Sequence, residues 1–368
     1  MWDKNMFSIV GTMSGTSMDG IDVTYVHTNG EKVKRYGLGE IYSYSQNTIK
    51  LLKEFCNTPK NLKHYSLSSE LSCGITIDHA KSIKRFLRKI NKFPSYVGFH
   101  GQTIYHDPIN KLSIQLGDPQ LLANILNKEV VSNFRDLDLK QGGQGAPLAP
   151  IYHKSIIEEF DIELPTCFIN IGGISNLTYW DGKSLLGFDT GPGNNLMDDY
   201  CIKILNQTHD HDGKIASSGI PNRQIIEEFL KDPFLEIKGI KSLDKSYFYY
   251  ILESVIKKKL NSCDALATLL ECTLVSIEIG IKQLPFKPKF IYIIGGGVKN
   301  LTLFNKLKKK LVDSHVSSIE PLGLNGEIIE AELISFLSAR SILGLPYTFT
   351  TTTGVKGPCC GGKIYKPS

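Results

Sequence analysis

Apolar residues follow two patterns along this chain: short runs that end at glycine-rich turns, and longer stretches with apolar positions three or four residues apart. Residues 6–12 are a short apolar run ending in glycine, and residues 21–26 alternate apolar and polar side chains. Together they predict a β-hairpin. Further elements are predicted in chain order: helices at 48–55 and 67–90, a strand at 96–100 and a helix at 119–126.

A similar pattern returns after residues 140–150, a loop of mostly Gly, Ala and Pro where a domain boundary or hinge is expected. Beyond it the pattern predicts strands at 167–170, 177–180 and 185–189, helices from 196, at 224–230 and at 266–284, a strand at 290–294, and helices at 301–311 and 327–343. The tail from residue 350 is predicted to be a loop. Strands that end in Gly, Asp, Asn or Ser turns present backbone N–H groups where α/β folds bind ligands. Two such halves predict an α/β protein with a ligand cleft.

Composition narrows the class of protein. With 368 residues, 41% apolar and 21% charged, the chain is long enough for two ordinary domains and is neither disordered nor fibrous. The net charge of +5 comes from scattered lysines, and the densest basic stretch, 81–92, is typical of a solvated helix face. We therefore expect no nucleic-acid partner.

Membrane and disulfide classes are also not expected. The sequence has no run of about 18 apolar residues and no signal-peptide layout at its start. Its eight cysteines include no C-x-x-C pair, which argues against a zinc site or a disulfide framework. The expectation is a cytoplasmic protein with reduced thiols and no membrane partner.

Candidate chemistry is concentrated in residues 11–22, GTMSGTSMDGID. Its glycines allow successive N–H groups to point at one anion. Its hydroxyl and carboxylate side chains include Ser14, Thr16, Ser17, Asp19 and Asp22, and the two carboxylates are suited to a hydrated Mg²⁺. A plain hairpin turn needs only about two to five residues, so this density of donors favours a phosphate loop.

The two standard nucleotide motifs are missing from the sequence. Residues 182–184 (GKS) lack the glycine that a Walker A motif has five residues earlier, and no G-x-G-x-x-G opens a helix. If the chain binds a nucleotide, its phosphate loop is therefore of the β-hairpin type.

The segment GTMSGTSMDGID resembles the signature loop of the anhydro-N-acetylmuramic acid kinases, members of the sugar kinase/Hsp70/actin superfamily. Further segments resemble motifs of that family in the same order: 99–103 (FHGQT), 115–119 (QLGDP), 133–135 (NFR), 142–147 (GGQGAP), 170–176 (NIGGISN), 187–194 (GFDTGPGN), 212–213 (DG) and 295–297 (GGG). The resemblance runs from about residue 8 to the tail. Asp244 and Lys245 depart from it, since many members have Gly and Arg there.

The resemblance implies a two-lobed, actin-like (ribonuclease H-like) α/β fold with ATP in the interlobe cleft. Lobe I would be residues 1–133, completed by about 325–368, and lobe II residues 134–324. Members of the family use ATP and water to open the anhydro ring of 1,6-anhydro-N-acetylmuramic acid. They release N-acetylmuramic acid 6-phosphate and ADP during peptidoglycan recycling. A homodimer is expected by analogy only.

The resemblance also implies a set of nucleotide-binding residues. The first phosphate loop, around the β- and γ-phosphates, would be Gly15, Thr16, Ser17, Met18, Asp19, Gly20, Ile21 and Asp22. The second phosphate loop would be Gly172, Gly173, Gly191, Gly193 and Asn194. The adenosine would lie against Gly295, Gly296, Gly297 and Asn300. Mg²⁺ would bridge the phosphates, and no direct protein ligand is assigned because Asp19 and Asp189 can both act through water.

Asp189 matches the family's catalytic base by position. The anhydro sugar has no free 6-hydroxyl, because O6 is tied to C1. Phosphoryl transfer to O6 therefore has to be coupled to attack of water on C1, and a carboxylate has to accept the proton of that water. The structural alternative is an N-cap for the helix near Leu196, for which Asn194 is closer.

Five residues are candidates for the sugar pocket: His100, Gln102, Arg135, Asp138 and Glu330. Arg135 suits a two-pronged hydrogen bond to the lactyl carboxylate, with a surface ion pair to a neighbouring aspartate as the alternative. Glu330 is the family's second acidic position near the sugar or a first-turn acid favoured by the helix dipole. His100 and Gln102 line the pocket or merely pack at a strand end.

Two other functions remain open on the same fold. A nucleotide-binding sensor without turnover has no reason to keep a carboxylate at position 189. A conventional sugar kinase would use Asp189 to deprotonate a sugar hydroxyl, and it would phosphorylate free N-acetylmuramic acid.

Overall fold

The computed structural model describes residues 6–15, 20–57, 65–107, 110–244 and 246–368. Within these residues there are twelve strands: β1 Phe7–Ser14, β2 Ile21–Thr28, β3 Val33–Tyr42, β4 Tyr96–Asp107, β5 Leu112–Leu116, β6 Glu129–Ser132, β7 Thr166–Ile171, β8 Ile174–Trp180, β9 Leu185–Pro192, β10 Phe290–Ile294, β11 His315–Ser318 and β12 Lys363–Tyr365.

Thirteen α-helices accompany these strands in the described part of the chain. They are α1 Gln46–Asn57, α2 Tyr65–Ile90, α3 Pro119–Leu126, α4 Asp136–Lys140, α5 Pro150–Glu159, α6 Asn195–Tyr200, α7 Lys214–Ser217, α8 Arg223–Phe229, α9 Pro233–Glu236, α10 Tyr249–Lys257, α11 Ser262–Lys282, α12 Leu301–Lys310 and α13 Ile329–Leu343. No helix among the described residues has both the length and the apolar character needed to cross a membrane.

The chain divides into two compact units. Unit 1 comprises Met1–Gly145, Glu327–Thr350 and Val355–Ser368, and unit 2 comprises Ala146–Gly326 and Thr351–Gly354. The first division therefore falls after Gly145, not after residue 133. Residues 134–145 stay with unit 1 because Phe134 and Leu139 are buried there and Arg135 hydrogen-bonds to His100 on β4.

The sheet of unit 1 has the order β12-β6-β4-β1-β2-β3, with β5 beside β4. Strands β1, β2 and β3 pair antiparallel, whereas β4 runs parallel to β1 and β6 parallel to β4. Helix α13 packs on β1 at Gly11, where a Cβ atom would lie 2.0 Å from the Ala331 carbonyl oxygen. Only glycine allows this close approach of helix and strand.

The sheet of unit 2 has the order β11-β10-β7-β8-β9. Its first three strands in sequence again pair antiparallel, and β10 and β11 again run parallel to the first. Helix α11 is buried along most of its length, in the same core as β7 to β10. Each unit therefore has an antiparallel three-stranded meander followed by two parallel strands. This ribonuclease H-like order, present twice, confirms the α/β fold class.

Several predicted elements differ from the structure. The tail was predicted to be a loop, which is wrong at Lys363–Tyr365, because these three residues pair antiparallel with β6 and close one edge of the sheet. Strand β8 begins at Ile174, inside the stretch read as a turn. Elements β3, β5, β6, β11, α4, α5, α7, α9 and α10 were not predicted. Strand β3 is half-exposed and contains two glycines, so its sequence does not show a clear alternation of apolar and polar side chains.

Three buried histidines predict how stability depends on pH. Burial lowers the pKa of His79 and His100 in unit 1, and of His153 in unit 2, from 6.5 to about 3. Below about pH 6.5 these histidines bind protons in the unfolded chain but not in the folded chain, so their contribution to the free energy of unfolding is constant above this pH and falls beneath it. Each histidine contributes up to about 1.4 kcal/mol per pH unit.

We therefore expect urea unfolding to report a steep fall of the free energy of unfolding from pH 6 to 4. Unit 1 should lose stability faster than unit 2, since it contains two of the three imidazoles that are buried among the described residues. Equal unfolding free energies at pH 8 and pH 5 would contradict this account.

Candidate functional site

Three glycine segments meet at one end of the unit 2 sheet; we call residues 172–173, 191–194 and 295–297 the glycine turns. The N–H of Asn194 donates to the Gly172 carbonyl at 2.8 Å, and the N–H of Gly193 donates to the Gly173 carbonyl at 3.0 Å. A Cβ on Gly295 would lie 2.3 Å from Asn170 Oδ1, just before the first turn. The structure thus brings together the predicted second phosphate loop and adenosine segment.

Close packing explains why these positions are glycine. A Cβ at Gly191 would lie 2.5 Å from the side chain of Ser276, and one at Gly193 would lie 2.2 Å from the Gly172 carbonyl oxygen. Gly295 has a φ of +79°, a value that residues other than glycine rarely adopt. The turns therefore consist of closely packed backbone without side chains at the glycines, which suits a close approach of phosphate or ribose.

The two predicted asparagines have structural contacts of their own. Asn194 occupies the N-cap position of α6, but its side chain donates to the Ile171 carbonyl at 3.2 Å and so connects its turn to the end of β7. Asn300 caps α12, because its Oδ1 accepts from the Leu303 N–H at 3.0 Å. A Cβ on Gly213 would lie 2.1 Å from the same oxygen, so residues 212–213 border this site.

Asp189 lies at a bulge in β9, where Thr190 is an extra residue between the pairs Asn176–Asp189 and Ser175–Gly191. Its carboxylate is 7% exposed, and Oδ2 accepts from the Leu243 N–H at 2.8 Å. Its backbone N–H donates to the Lys241 carbonyl at 2.9 Å. The carboxylate is therefore held in one place next to the glycine turns, and the N-cap of α6 belongs to Asn194 instead.

Lys241 is a residue near Asp189 to which the sequence assigned no role. It is buried, and its Nζ donates to the carbonyls of Phe234 and Ile237 at the end of α9, at 3.2 and 2.9 Å. Burial lowers its pKa to about 8, although the charge of Asp189 acts in the opposite direction. A mostly protonated lysine therefore accompanies the carboxylate at neutral pH.

Unit 1 contains a separate cavity of about 240 Å³ beside β4. It is lined by Phe99, His100, Gly101, Ser113, Ile114, Gln115, Leu116, Gly117, Ser132, Asn133, Phe134, Arg135 and Asp136. Two of the predicted sugar residues, His100 and Arg135, are therefore brought together, and residues from the FHGQT, QLGDP and NFR segments surround them.

His100 orients the guanidinium of Arg135. The imidazole Nδ1 lies 3.1 Å from the Gly101 carbonyl, so this nitrogen carries the proton. Its Nε2 is then free to accept from Arg135 Nε at 3.2 Å, and Arg135 also donates to the Gly145 carbonyl at 2.6 Å. Burial, followed by the charge of Arg135, lowers the pKa of His100 to about 3. The histidine is thus a neutral acceptor that fixes a cation at the cavity.

The other three predicted sugar residues lie outside the lining of this cavity as the described residues define it. Gln102 is a fully buried residue of β4, and its carboxamide nitrogen donates to the Gly15 carbonyl at 2.8 Å and to the Thr103 carbonyl at 3.2 Å. Asp138 is 1% exposed and its Oδ1 accepts from the Gly145 N–H at 2.7 Å, which braces the loop of residues 143–145. Glu330 lies half-buried in the first turn of α13.

The first phosphate loop is described only at its two ends. Gly15 follows β1, and its carbonyl accepts from Gln102 Nε2 at 2.8 Å. Ile21 is buried at the start of β2, and Asp22 pairs with Met13 across the hairpin. A Cβ on Gly20 would lie 2.7 Å from the Ile41 side chain. The predicted contacts at Thr16, Ser17, Met18 and Asp19 lie outside the described residues.

The chain contains two ribonuclease H-like sheets, and the glycine turns lie at the strand ends of the unit 2 sheet. This arrangement defines an actin-like α/β protein of the sugar kinase class. The comparison with protein families narrows this class, because the model of the anhydro-N-acetylmuramic acid kinases matches residues 7–367. The chain belongs to the anhydro-N-acetylmuramic acid kinase family.

Relatives with that name match the chain over nearly its whole length. The one from Bradyrhizobium diazoefficiens is 36% identical over 370 residues and covers 98% of this chain and 100% of the relative. The one from Pelagibacter ubique is 37% identical over 380 residues and covers 99% of both. A solved structure, the activator of the 2-hydroxyisocaproyl-CoA dehydratase from Clostridium difficile, matches at 12% identity and a TM-score of 0.44, over 92% of this chain and 97% of that one. With similarity that low, the fold assignment rests on the strand order.

Proposed function

We propose that this protein is an ATP-dependent kinase that opens the anhydro ring of 1,6-anhydro-N-acetylmuramic acid and phosphorylates O6. Its products would be N-acetylmuramic acid 6-phosphate and ADP, as in the recycling of peptidoglycan fragments. Membership of the family supports the substrate. The observation that carries the chemistry is the buried carboxylate of Asp189, fixed by the Leu243 N–H beside the glycine turns.

Asp189 is assigned the role of general base. The carboxylate accepts a proton from water while the water oxygen forms a bond to C1 of the sugar. The C1–O6 bond breaks and its electron pair stays on O6. O6 then forms a bond to the γ-phosphorus, and the bond from that phosphorus to the bridging oxygen breaks, which releases ADP. A fixed carboxylate suits this task because a general base has to meet its proton at hydrogen-bond distance.

The nucleotide is assigned to the first phosphate loop and to the glycine turns. Backbone N–H groups of the loop would hold the β- and γ-phosphates, and the turn at residues 295–297 would lie against the adenosine. Mg²⁺ with ATP would neutralise phosphate charge. The described residues include no group of three or more His, Cys, Asp or Glu side chains able to hold a metal.

The decisive experiment follows the oxygen of ¹⁸O-labelled water into the product. The purified protein is incubated with ATP, Mg²⁺ and 1,6-anhydro-N-acetylmuramic acid in H₂¹⁸O, and the mass of the product is measured by mass spectrometry. The proposal expects one heavy oxygen at C1 and none in the phosphate. A phosphorylated product without heavy oxygen overturns the hydrolytic step. Phosphorylation of free N-acetylmuramic acid alone indicates a conventional sugar kinase, and nucleotide binding without turnover indicates a sensor.

Arg135 is assigned to the carboxylate of the lactyl group. We expect Arg135→Met to raise KM for the anhydro sugar by about 10- to 150-fold, because a hydrogen bond to a charged group contributes roughly 1.5–3 kcal/mol. KM for ATP should change less than twofold.

Arg135→Lys is the informative partner variant. It keeps the charge but loses the planar fork that His100 orients, so it should recover only part of the affinity. Both variants are measured by steady-state kinetics. An unchanged KM for the sugar in Arg135→Met contradicts the assignment.

A further inference from the structure

Asp189 is held at the edge of the unit 2 sheet by a segment without regular secondary structure. Strand β9 is the last in the order of that sheet, so its outer edge has no neighbouring strand among the described residues. Residues 241–243, which we call the clamp, contact this edge at two points. The Lys241 carbonyl accepts from the Asp189 N–H at 2.9 Å, and the Leu243 N–H donates to Asp189 Oδ2 at 2.8 Å. The orientation of the carboxylate therefore depends on how firmly the clamp is held.

The side chain of Lys241 anchors one end of the clamp. Its Nζ donates to the carbonyls of Phe234 and Ile237, at 3.2 and 2.9 Å. These carbonyls lie at the C-terminal end of α9, and lysine side chains can bind the last carbonyls of a helix. The ammonium also lies over the rings of Phe234 and Phe188, 4.7 and 5.7 Å from their centroids. Phe188 directly precedes Asp189, so one lysine side chain contacts both α9 and β9.

The other end of the clamp is held by apolar packing. Leu243 is buried in the same core as Phe234 and Phe248. A leucine packed in this way resists displacement, because moving it would open a cavity in the core. The clamp is thus fixed at one end by the core and at the other by the hydrogen bonds of a single side chain.

Filling space does not explain why position 241 is a lysine. Burial of a charge destabilises a folded protein unless partners compensate for the lost hydration, and an apolar residue of similar length avoids that cost. Burial accordingly lowers the pKa of Lys241 to about 8. Its ammonium donates to carbonyl groups, so the side chain affects Asp189 through the backbone of the clamp.

We propose that Lys241 is a positioning residue for Asp189. By binding the end of α9 it keeps the clamp against β9, and the clamp keeps the carboxylate in the orientation that accepts a proton from water. A general base has to lie at hydrogen-bond distance from that proton, and a displacement of about 1 Å can reduce a rate about 100-fold. This inference rests on the proposed kinase function, in which Asp189 is the base.

Lys241→Met tests the anchoring bonds. The variant removes the charge and every N–H donor of the side chain but keeps a flexible chain of similar length. We expect kcat to fall about 10- to 100-fold, because the carboxylate is no longer held in one place. KM for ATP and KM for the anhydro sugar should stay within about threefold, since the loss falls on the chemical step. Steady-state release of ADP measures all three constants.

A second measurement separates positioning from a general loss of structure. In the Asp189→Asn background there is no base to position, so adding Lys241→Met should lower kcat by less than about twofold more. A lysine that only supports the fold would give the same fold-reduction of kcat in both backgrounds. Equal reductions therefore overturn the proposal.

Gln283→Met is the matched control. Gln283 Nε2 donates to the Leu235 carbonyl of α9 at 3.0 Å, so this variant also removes a side-chain donor from α9, but Gln283 lies outside the clamp. It should lower the melting temperature and leave kcat within about twofold of the wild type. A fall of kcat as large as that in Lys241→Met would mean that the packing of α9, and not the lysine, determines activity, which overturns the positioning role.

The outcomes separate this inference from the kinase proposal. If the wild-type protein shows no turnover, the kinase proposal fails, and hydrogen–deuterium exchange of the peptide that contains Leu243 tests the clamp. Exchange at least about fivefold faster in Lys241→Met, with exchange in α11 unchanged, upholds the anchoring role. Equal exchange, or faster exchange in both segments, overturns it.

Lys241→Gln replaces Lys241→Met if the latter does not fold. Its shorter, neutral side chain keeps an N–H donor, so we expect kcat to fall by at least about threefold, and the fall should again disappear in the Asp189→Asn background. An unchanged kcat in Lys241→Gln overturns the proposal.

Discussion

Asp189→Asn should reduce turnover by about 10²- to 10⁴-fold, the usual range for a lost general base. The substitution is isosteric, and an asparagine Oδ1 can still accept from the Leu243 N–H, so the bulge in β9 should keep its geometry. The amide cannot take a proton from water. We therefore expect kcat to fall while KM for ATP stays within a few-fold, measured by coupled release of ADP.

The matched control is Asp232→Asn. Asp232 is a carboxylate of the same unit with similar exposure, 8% against 7%. It caps α9 by accepting from the Phe234 N–H, and it also accepts from Tyr250. Asparagine is an equally good N-cap, so this variant should retain turnover. If Asp189→Asn is as active as Asp232→Asn, another group takes the proton and the assignment of the base fails.

Gly193→Ala should raise KM for ATP by at least about 100-fold, since a shift of about 1 Å in a positioning element has effects of this size. The new Cβ would lie 2.2 Å from the Gly172 carbonyl oxygen and 3.0 Å from that of Gly173. Both are backbone atoms, so two glycine turns have to separate. Strain of this kind also destabilises unit 2, by about 1–3 kcal/mol, which calorimetry of the nucleotide-free protein measures.

Gly172→Ala distinguishes strain within the protein from steric hindrance of nucleotide binding. Its Cβ would meet nothing closer than the Ile174 carbonyl oxygen at 3.7 Å, an ordinary contact. The nucleotide-free protein should therefore melt as the wild type does. Equal melting temperatures for Gly193→Ala and Gly172→Ala would show that packing between the turns is not what requires glycine at position 193.

Much of the fold is readable from local patterns in the sequence. The hairpin β1–β2, helix α3 and strand β10 were predicted with bounds within two residues of those observed, because their apolar periodicity is strong and Gly, Pro or Asp limits each one. Strand β12 was missed because three residues carry no periodicity; its pairing with β6 comes from a partner more than 200 residues away in sequence. Helix α5 was missed because it starts at Pro150, inside a stretch of loop composition.

The candidate site, like the fold, has some residues that the sequence points to and others that only the folded chain brings into place. The glycine turns stand out in the sequence because unusual backbone conformations require Gly, whereas Asp189 was assigned through the resemblance of its segment to a family motif. Lys241 could not be assigned from sequence, since its bonds to the carbonyls at the end of α9 depend on the folded chain. Hydrogen-bond partners that lie 87 residues apart, as Gln102 and Gly15 do, leave no local pattern.

The contact between Gly11 and Ala331, together with the pairing of β12 with β6, has a consequence for synthesis on the ribosome. The face of β1 that α13 covers is made early, but α13 follows more than 300 residues later. At a synthesis rate of about 5–20 residues per second, that face of β1 stays without α13 for roughly 15–60 s. The middle of the chain, Ala146–Gly326, has by then left the ribosome and can fold first. Nascent-chain proteolysis should therefore find this central segment protected before the N-terminal strands are, and chaperones should engage the N-terminal part in the interval.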